Sequence, residues 1–412
     1  MLVTKKTMKI IFLISSKGNG GMEKIIEKVS CYMNRKGHEI IYLNLYTPQE
    51  YEYIKKTGVF WPPFNNTINK TYIKCAEEYP TKKPFLKIVL NWILGKEKYY
   101  GLKKIIEVIE NEKNPNFIFV ENPLWILGVK KAVQESKSNA VTILWNHGSI
   151  NVKRDLNETV DYIKQRIINN IYLKWTKHAD YVFAISTGIA QKIVKYAGNK
   201  NVRIIYNPIA SSASMKLIKK PKEENVFIYI GRLDDAQKNI SFLFEALSKF
   251  YVKKWILKMI GEGPDEQKLK DLAKKIKING RVEFLGFRER PYDVIDEATC
   301  LILTSRYEGF PSVLVEAIER GLPVLSSDCE TGPQDIVKNG VNGYLYKPGN
   351  KKQFYKYLLK IMKEDVATDR CEMKNTVEKY REDLVMSKIE MELHVIQERH
   401  HFARKDPSQF IV

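Results

Sequence analysis

Two carboxylates with seven residues between them, Glu308 and Glu316, stand in the stretch TCLILTSRYEGFPSVLVEAIERGLPVL. The apolar pattern reads as a buried strand over 300–304, a short polar loop, a helix from about Ser312, and another apolar strand after Gly321, Leu322 and Pro323. Glu308 falls in the loop with Gly309 and Phe310, just ahead of a helix whose first N–H groups have no internal partner. Such a helix start, following the C-terminal end of a strand, is where open α/β sheets hold phosphorylated ligands. Glu316 lies about a turn into the helix, on the order of 6 Å along its axis. Two acceptors around one helix end suit a ligand with several hydroxyls, such as a sugar and a ribose, flanking a phosphate. The plainer reading is a helix-capping Glu308 and a solvated Glu316, since Glu is common on helices.

A second constellation is GRLDDAQKN at 231–239. Arg232 and Lys238 share one strand-to-helix loop, and two cations at a helix N-terminus suit a pyrophosphate. In isolation they would be ordinary surface charges. His147, in LWNHG, ends another strand, where a lone histidine is more often structural than catalytic. Glu262, in GEGP, shapes a turn or touches a ligand.

The stretch SRYEGFPSVLVEAIERGLPVLSS closely resembles the C-terminal signature of the retaining glycosyltransferases of group 1, the family numbered 4, which have the GT-B fold. GRLDDAQKN is similar to the same family's donor-diphosphate loop. The resemblance spans roughly 9–350, with dense matches over 226–345. It implies that Glu308 contacts the donor sugar and Glu316 binds the ribose, while Arg232 and Lys238 clamp the leaving diphosphate. It implies places beside the base for Glu262, Phe287 and Arg288, and backbone contact with the donor for Gly20 and Gly21. Asn207, Gly309, Phe310 and Ser312 complete the implied donor site. His147 would orient the sugar and stabilise positive charge developing at the anomeric carbon. The segment CETGPQDIV departs from the Gly-Gly form many members show. No D-x-D carboxylate pair is present, so the expected chemistry uses no metal and no cofactor beyond the nucleotide-sugar co-substrate. Positive side chains and helix ends then neutralise the diphosphate.

The elements that must position these groups follow from the periodicity. Strand, glycine-rich turn and helix open the chain over 9–36, and a second strand follows at 40–45, the start of a doubly wound sheet. Residues 46–100, rich in aromatic residues and lysine, read as an irregular insertion. Strands follow at 117–120, 141–145, 181–185 and 202–205. A polar stretch at 210–224 reads as a linker, after which strand–helix alternation restarts. The expected architecture is α/β: two Rossmann-like, doubly wound domains facing a cleft. The expected divisions are 1–209 for the acceptor, 210–385 for the nucleotide-sugar, and a last helix in 386–412 that crosses back to the first domain. A helix near 292–298 is expected between the strands at 282–285 and 300–304.

Charge and composition bound the partners. The chain of 412 residues carries a formal net charge of +20. Residues 1–205 hold 33 Lys and Arg against 17 Asp and Glu, a net of +16, and the remainder is only +4. One domain therefore faces an anionic partner, either an anionic membrane or nucleic acid, or else lysine merely solvates the surface. Nucleic acid explains neither the carboxylates nor the paired cations. The expected partners are a nucleotide-sugar, most readily a UDP-sugar, and a glycan acceptor on a lipid carrier or lipopolysaccharide. The expected location is the inner face of the cytoplasmic membrane, held peripherally. A nucleotide-sugar epimerase or hydrolase on the same fold is the nearer alternative. No apolar run reaches the ~18 residues needed to span a bilayer, and the basic start reads as a leader to a first strand rather than a signal peptide. Five scattered cysteines without C-x-x-C spacing fit a reducing compartment and no thiol metal site.

Overall fold

The computed structural model describes residues 7–14, 21–46, 69–74, 102–112, 114–146, 170–171, 173–210, 216–250, 254–363 and 370–405. Contacts divide the chain into two units. One comprises Met1–Ile185, Ile189–Ile205 and Met386–Val412, and the other Ser186–Gly188 and Tyr206–Val385.

The first unit is built on a parallel seven-stranded sheet of order β3-β2-β1-β4-β5-β6-β7. Along the chain run β1 (Lys9–Ile14), α1 (Gly21–Arg35), β2 (Glu39–Tyr46), β3 (Asn69–Lys74), α2 (Leu102–Asn111), β4 (Phe117–Val120), α3 (Pro123–Glu135), β5 (Val141–Asn146) and β6 (Tyr181–Ala184). A helix α4 (Thr187–Lys192), continued by the π-helical turn Ile193–Ala197, then leads to β7 (Val202–Ile204). The strands of the interior are apolar on both faces, as a parallel sheet covered by helices requires. Phe12 of β1 stacks on Phe119 of β4 with centroids 4.9 Å apart, and Phe119 meets Phe183 of β6 edge-on at 5.6 Å. This aromatic row, with Trp145 buried beside it, ties four strands together.

The second unit holds a parallel six-stranded sheet of order β10-β9-β8-β11-β12-β13. Its elements are β8 (Asn225–Ile230), α5 (Asp235–Lys238), α6 (Ile240–Ser248), β9 (Trp255–Ile260), α7 (Glu266–Lys275), β10 (Val282–Phe284), β11 (Cys300–Leu303), α8 (Ser312–Glu319), β12 (Val324–Ser327), α9 (Pro333–Ile336), β13 (Gly343–Tyr346), α10 (Lys351–Met362) and α11 (Arg370–Asn375). Its core gathers Phe227, Phe244, Trp255, Leu257, Ile302, Leu325 and Phe354. A final helix, α12 (Glu382–Lys405), follows. In both sheets the strand order reverses beside the first strand of the unit, between β1 and β4 and between β8 and β11. Ligands of open α/β sheets bind outside the carboxyl ends of strands at that switch point.

From Met386 onward α12 belongs to the first unit. His38, at the start of β2, accepts the Met8 N–H on Nδ1 at 3.1 Å, so a neutral ring carries its proton on Nε2. That nitrogen faces Glu390 Oε1 of α12 at 3.8 Å, and the Tyr32 hydroxyl donates to Glu390 Oε2 at 3.2 Å. His394 adds a third donor atom within 4.8 Å of the others. The tautomer demanded by Met8 puts a proton where a metal would have to bind, so this cluster serves to seat α12.

Three sequence expectations change. The stretch 46–100 is not wholly irregular, because β3 pairs in parallel register with β2, Ile41 against Asn69 through Tyr46 against Lys74. Being an edge strand, it needs no continuous apolar run. No helix forms over 292–298: a 3-10 turn covers Pro291–Val294, and Ile295 is already extended at φ −118°. Residues 216–220 do not act as a free linker, since Ile218 N–H donates to the Arg320 carbonyl at 3.1 Å and Lys219 pairs with Glu297.

Candidate functional site

The site of the second unit grows from the ends of β8 and β11, the two strands flanking the switch point. At the end of β8, Gly231 takes φ +157°, and the chain continues through Arg232 to α5, whose N-cap is Asp234. Asp234 accepts the Gln237 N–H at 3.3 Å. Asp235, nearly buried, takes Ser241 N–H at 2.7 Å and the Ser241 hydroxyl at 2.8 Å, which fixes the start of α6. Between the helices Asn239 sits in the left-handed region at φ +53°, a conformation asparagine tolerates better than most residues. That kink ends α5 at Lys238 and aims its side chain back across the sheet.

Lys238 meets Glu308 there. Its Nζ donates to Glu308 Oε1 at 2.7 Å, and the two side chains are 16% and 7% exposed. The Ser305 hydroxyl donates to the same oxygen at 2.6 Å. The Thr331 hydroxyl donates to the Glu308 carbonyl, closing the loop from above. The carboxylate's charge is felt around it. Burial first, then Glu308, Asp234 and Asp235, push the Tyr229 hydroxyl well above its ordinary range. Burial and then Glu308 push the Cys329 thiol up to about 12. The loop 305–310 is also tied to α5 by Arg306 N–H on the Gln237 carbonyl at 2.8 Å and Gln237 Nε2 on the Tyr307 carbonyl at 3.3 Å.

The next groups lie along the neighbouring strand ends. Gly231 N–H donates to Ile260 O at 3.0 Å, and Gly261 N–H donates to Gly286 O at 2.9 Å. A Cβ on Gly261 would lie 2.0 Å from the Gly231 carbonyl oxygen, so only glycine lets these loops stack. Each of the three glycines is followed by an exposed residue: Arg232, Glu262 and Phe287. Glu262 Oε1 accepts the Phe287 N–H at 3.1 Å, and Arg288 Nη1 donates to the Phe287 carbonyl at 3.4 Å.

Helix α8 begins after Pro311 without any side-chain cap, so its first N–H groups point outward from beside Ser312. Glu316, half-buried, lies one turn in, where its charge acts on buried Tyr292. The Phe310 ring is spent on packing between Tyr206 at 5.7 Å and Tyr380 at 5.1 Å, which leaves its backbone for a ligand. Asn207 is buried, and its Oδ1 has no hydrogen-bond partner among the described residues. Gly332, at φ +95°, packs against Gly309 and Pro311 where a Cβ would lie 2.7 Å from the proline ring.

In the first unit Gly21 opens α1 after β1. Gly20 and His147 lie outside the described residues, although β5 ends at Asn146 just before His147. Thr331 belongs to the segment CETGPQDIV, whose residues 331–334 the family resemblance places near the donor, whereas Thr304, Ser305 and Ser327 have no such mark in the sequence. Their only signal is a hydroxyl at or just past a strand end.

The arrangement offers a buried anion–cation pair, an exposed arginine and an uncapped helix start around the carboxyl ends of two parallel strands. Such a site can grip an anionic diphosphate and hydrogen-bond a polyol beside it. Comparison with known proteins bears on that chemistry. The chain matches the family model described as glycosyl transferases group 1 over residues 212–381 and that of glycosyltransferase family 4 over residues 19–212. It is 28% identical over 382 residues to a lipopolysaccharide 1,6-galactosyltransferase of Salmonella typhimurium, covering 90% of this chain and 95% of that protein. A solved apo structure of the lipopolysaccharide outer core galactosyltransferase WaaB superposes with a TM-score of 0.70 at 24% identity, covering 95% of this chain and all of that one. An Anabaena protein, Alr3699/HepE, solved in complex with UDP superposes at 0.67 with 16% identity, covering 94% of this chain and 100% of that one.

Proposed function

The chain belongs to the group 1 glycosyltransferases of family 4, with the GT-B fold, and from that premise we propose that it is a metal-independent, retaining enzyme. It moves a hexose or N-acetylhexosamine from a UDP-sugar to a glycan acceptor carried by a lipid or lipopolysaccharide. The observation that carries this reading is the Lys238–Glu308 pair at the switch point, 2.7 Å apart, beside the uncapped start of α8.

In the proposed reaction the diphosphate lies against Arg232, Lys238 and the N–H groups of α8. Glu308 accepts hydrogen bonds from the sugar and Glu316 from the ribose. The acceptor oxygen bonds the anomeric carbon on the face from which the diphosphate departs, the carbon–phosphate-oxygen link breaks, and a departing phosphate oxygen takes the acceptor's proton. Negative charge grows on that oxygen in the transition state, where fixed cations and helix N–H groups act most strongly. UDP as the nucleotide is supported by the UDP bound to the Anabaena neighbour, and a lipopolysaccharide acceptor by the name of the Salmonella relative.

The basic character of residues 1–205, net +16, supports docking on an anionic leaflet. Each lysine or arginine near such a surface contributes about 1 kcal/mol within a Debye length of about 8 Å at physiological salt. Among the described residues no helix is long and apolar enough to cross a membrane. The full chain should therefore bind anionic vesicles at low salt, release them at high salt and ignore neutral lipid; no binding at low salt removes this support for a lipid-borne acceptor.

The test of the reaction is a thermal-shift screen against nucleotide sugars, then product analysis with the stabilising donor. A product whose new linkage keeps the donor's anomeric configuration, formed equally well in EDTA, supports the reading. Inversion, or abolition by EDTA with rescue by manganese, contradicts it. Release of free sugar without an acceptor points to a hydrolase.

A further inference from the structure

Lys238 and Glu308 lie 70 residues apart in the chain, and both are held from one place, the two residues that follow β11. Thr304, 1% exposed, directs its hydroxyl to the Lys238 carbonyl at 2.8 Å and the Asn239 carbonyl at 3.0 Å. One hydroxyl proton is shared between these acceptors at the left-handed kink that ends α5. Ser305, fully buried, donates to Glu308 Oε1 at 2.6 Å. Its own carbonyl accepts the Ser327 hydroxyl at 2.6 Å, which braces it against β12. The two donors on Glu308, Lys238 Nζ and Ser305 Oγ, converge on Oε1. Among the described residues no donor is placed on Oε2, whose lone pairs are left for something else.

We propose that Thr304 and Ser305 are positioning residues, Thr304 setting Lys238 for the diphosphate and Ser305 setting Glu308 so that Oε2 faces the donor sugar. This rests on the donor-site reading given above. Neither side chain reaches solvent, so neither touches substrate; each acts through the partner it holds. The division of labour is specific. Ser305 constrains the carboxylate alone and leaves Lys238 in place. Thr304 constrains the backbone of Lys238 and leaves the Ser305–Glu308 bond intact. Burial adds to the effect, because a carboxylate with one donor removed swings to satisfy itself elsewhere.

Kinetics and UDP binding are measured on the full chain and four variants: Ser305→Ala, Ser305→Cys, Thr304→Val and Thr304→Ser. Ser305→Ala should lower kcat by about tenfold or more with the UDP Kd unchanged, since the lost bond is to a charged group. Ser305→Cys, a weaker donor of similar size, should fall between. Thr304→Val, nearly isosteric, should raise the UDP Kd by about fivefold to tenfold, and Thr304→Ser should restore it. A purely structural role would move UDP binding, kcat and melting temperature together in both series, and that result overturns the proposal, as does a Ser305→Ala kcat within about twofold of wild type. A ligand-free thermal-melting cycle of Ser305→Ala with Glu308→Gln separates this proposal from the donor reading. Coupled shifts support the Ser305 lock and additive shifts overturn it, whichever ligand the wild type binds. Failure of the wild type to bind UDP counts against the donor reading alone.

Discussion

Replacing Lys238 with methionine keeps most of the stem's bulk and removes the charge that faces Glu308 at 2.7 Å. With only 16% and 7% of the two side chains exposed, water makes up little of the loss. At this separation and an effective dielectric of about 20, the bare attraction is about 6 kcal/mol. Much of it offsets the desolvation of the two charges, and orphaning one member of a buried pair costs about 3–5 kcal/mol. Ser305 still donates to Oε1, which places Lys238→Met near the lower end, about 3 kcal/mol. For a unit of this length each kcal/mol shifts melting by about 2–4 °C, so the second unit should melt roughly 6–12 °C lower. Adding Glu308→Gln to the same chain removes the orphaned charge and should recover more than half of that loss. Calorimetry of the full chain with and without UDP reads both effects, and UDP should raise the melting temperature of Lys238→Met less than that of wild type. A single mutant within about 2 °C of wild type, or a double mutant no more stable than the single, refutes the penalty assigned to an orphaned Glu308.

Four further outcomes are expected. Glu316→Gln should weaken free UDP by about 1.5 kcal/mol, the low end for a charged acceptor because the residue is half-buried; unchanged affinity by calorimetric titration would take Glu316 out of the ribose site. Arg232→Ala, at an exposed position, should leave stability within about 0.5 kcal/mol of wild type while lowering kcat, and a wild-type kcat would end its role on the leaving group. Gly261→Ala forces a Cβ to within 2.0 Å of the Gly231 oxygen at φ +140° and should cost more than about 3 kcal/mol, whereas Gly280→Ala, with nothing within 4 Å, should cost far less. At pH 8 the Cys329 thiol, pushed up to about 12 by burial and then by Glu308, stays protonated, so a maleimide should label exposed Cys371 and spare Cys329 until the chain unfolds.

The region 299–325 was legible because its strand and helix carry unmistakable periodicities and its loop is marked by Gly309 and Pro311. The doubly wound sheets were legible for the same reason: β1, β4, β8 and β11 are short apolar runs. The pairing of Lys238 with Glu308 was not legible, because it depends on β8 and β11 being neighbours despite their separation in the chain. The sequence assigns both residues to the ligand, one to its phosphate and one to its sugar; in the structure they hold each other. The helix expected at 292–298 failed because Tyr292 and Ile295 are both buried and mimic helical spacing, while the backbone between them makes one 3-10 turn and straightens. Strand β3 escaped because NKTYIK has no apolar run for periodicity to detect. The hydroxyls of Thr304 and Ser305 have no sequence signature beyond their place at a strand end, since their partners are chosen by the fold.

The stacked glycines at the ends of β8, β9 and β10 have a further consequence. Because the three glycines are linked by backbone hydrogen bonds and a Cβ on Gly261 would lie 2.0 Å from the Gly231 oxygen, the three loops form a comb whose middle position admits only glycine. Its teeth are Arg232, Glu262 and Phe287, a cation, an anion and an aromatic ring, each exposed on the loop that follows a separate strand. Exchanging Arg232 or the Phe287 ring alters what the row greets without repacking the spine, whereas Glu262 also holds the Phe287 N–H. A panel of substitutions at Glu262 and Phe287 should therefore yield folded proteins that differ in nucleotide preference. Alanine at Gly261 should instead destabilise the row itself.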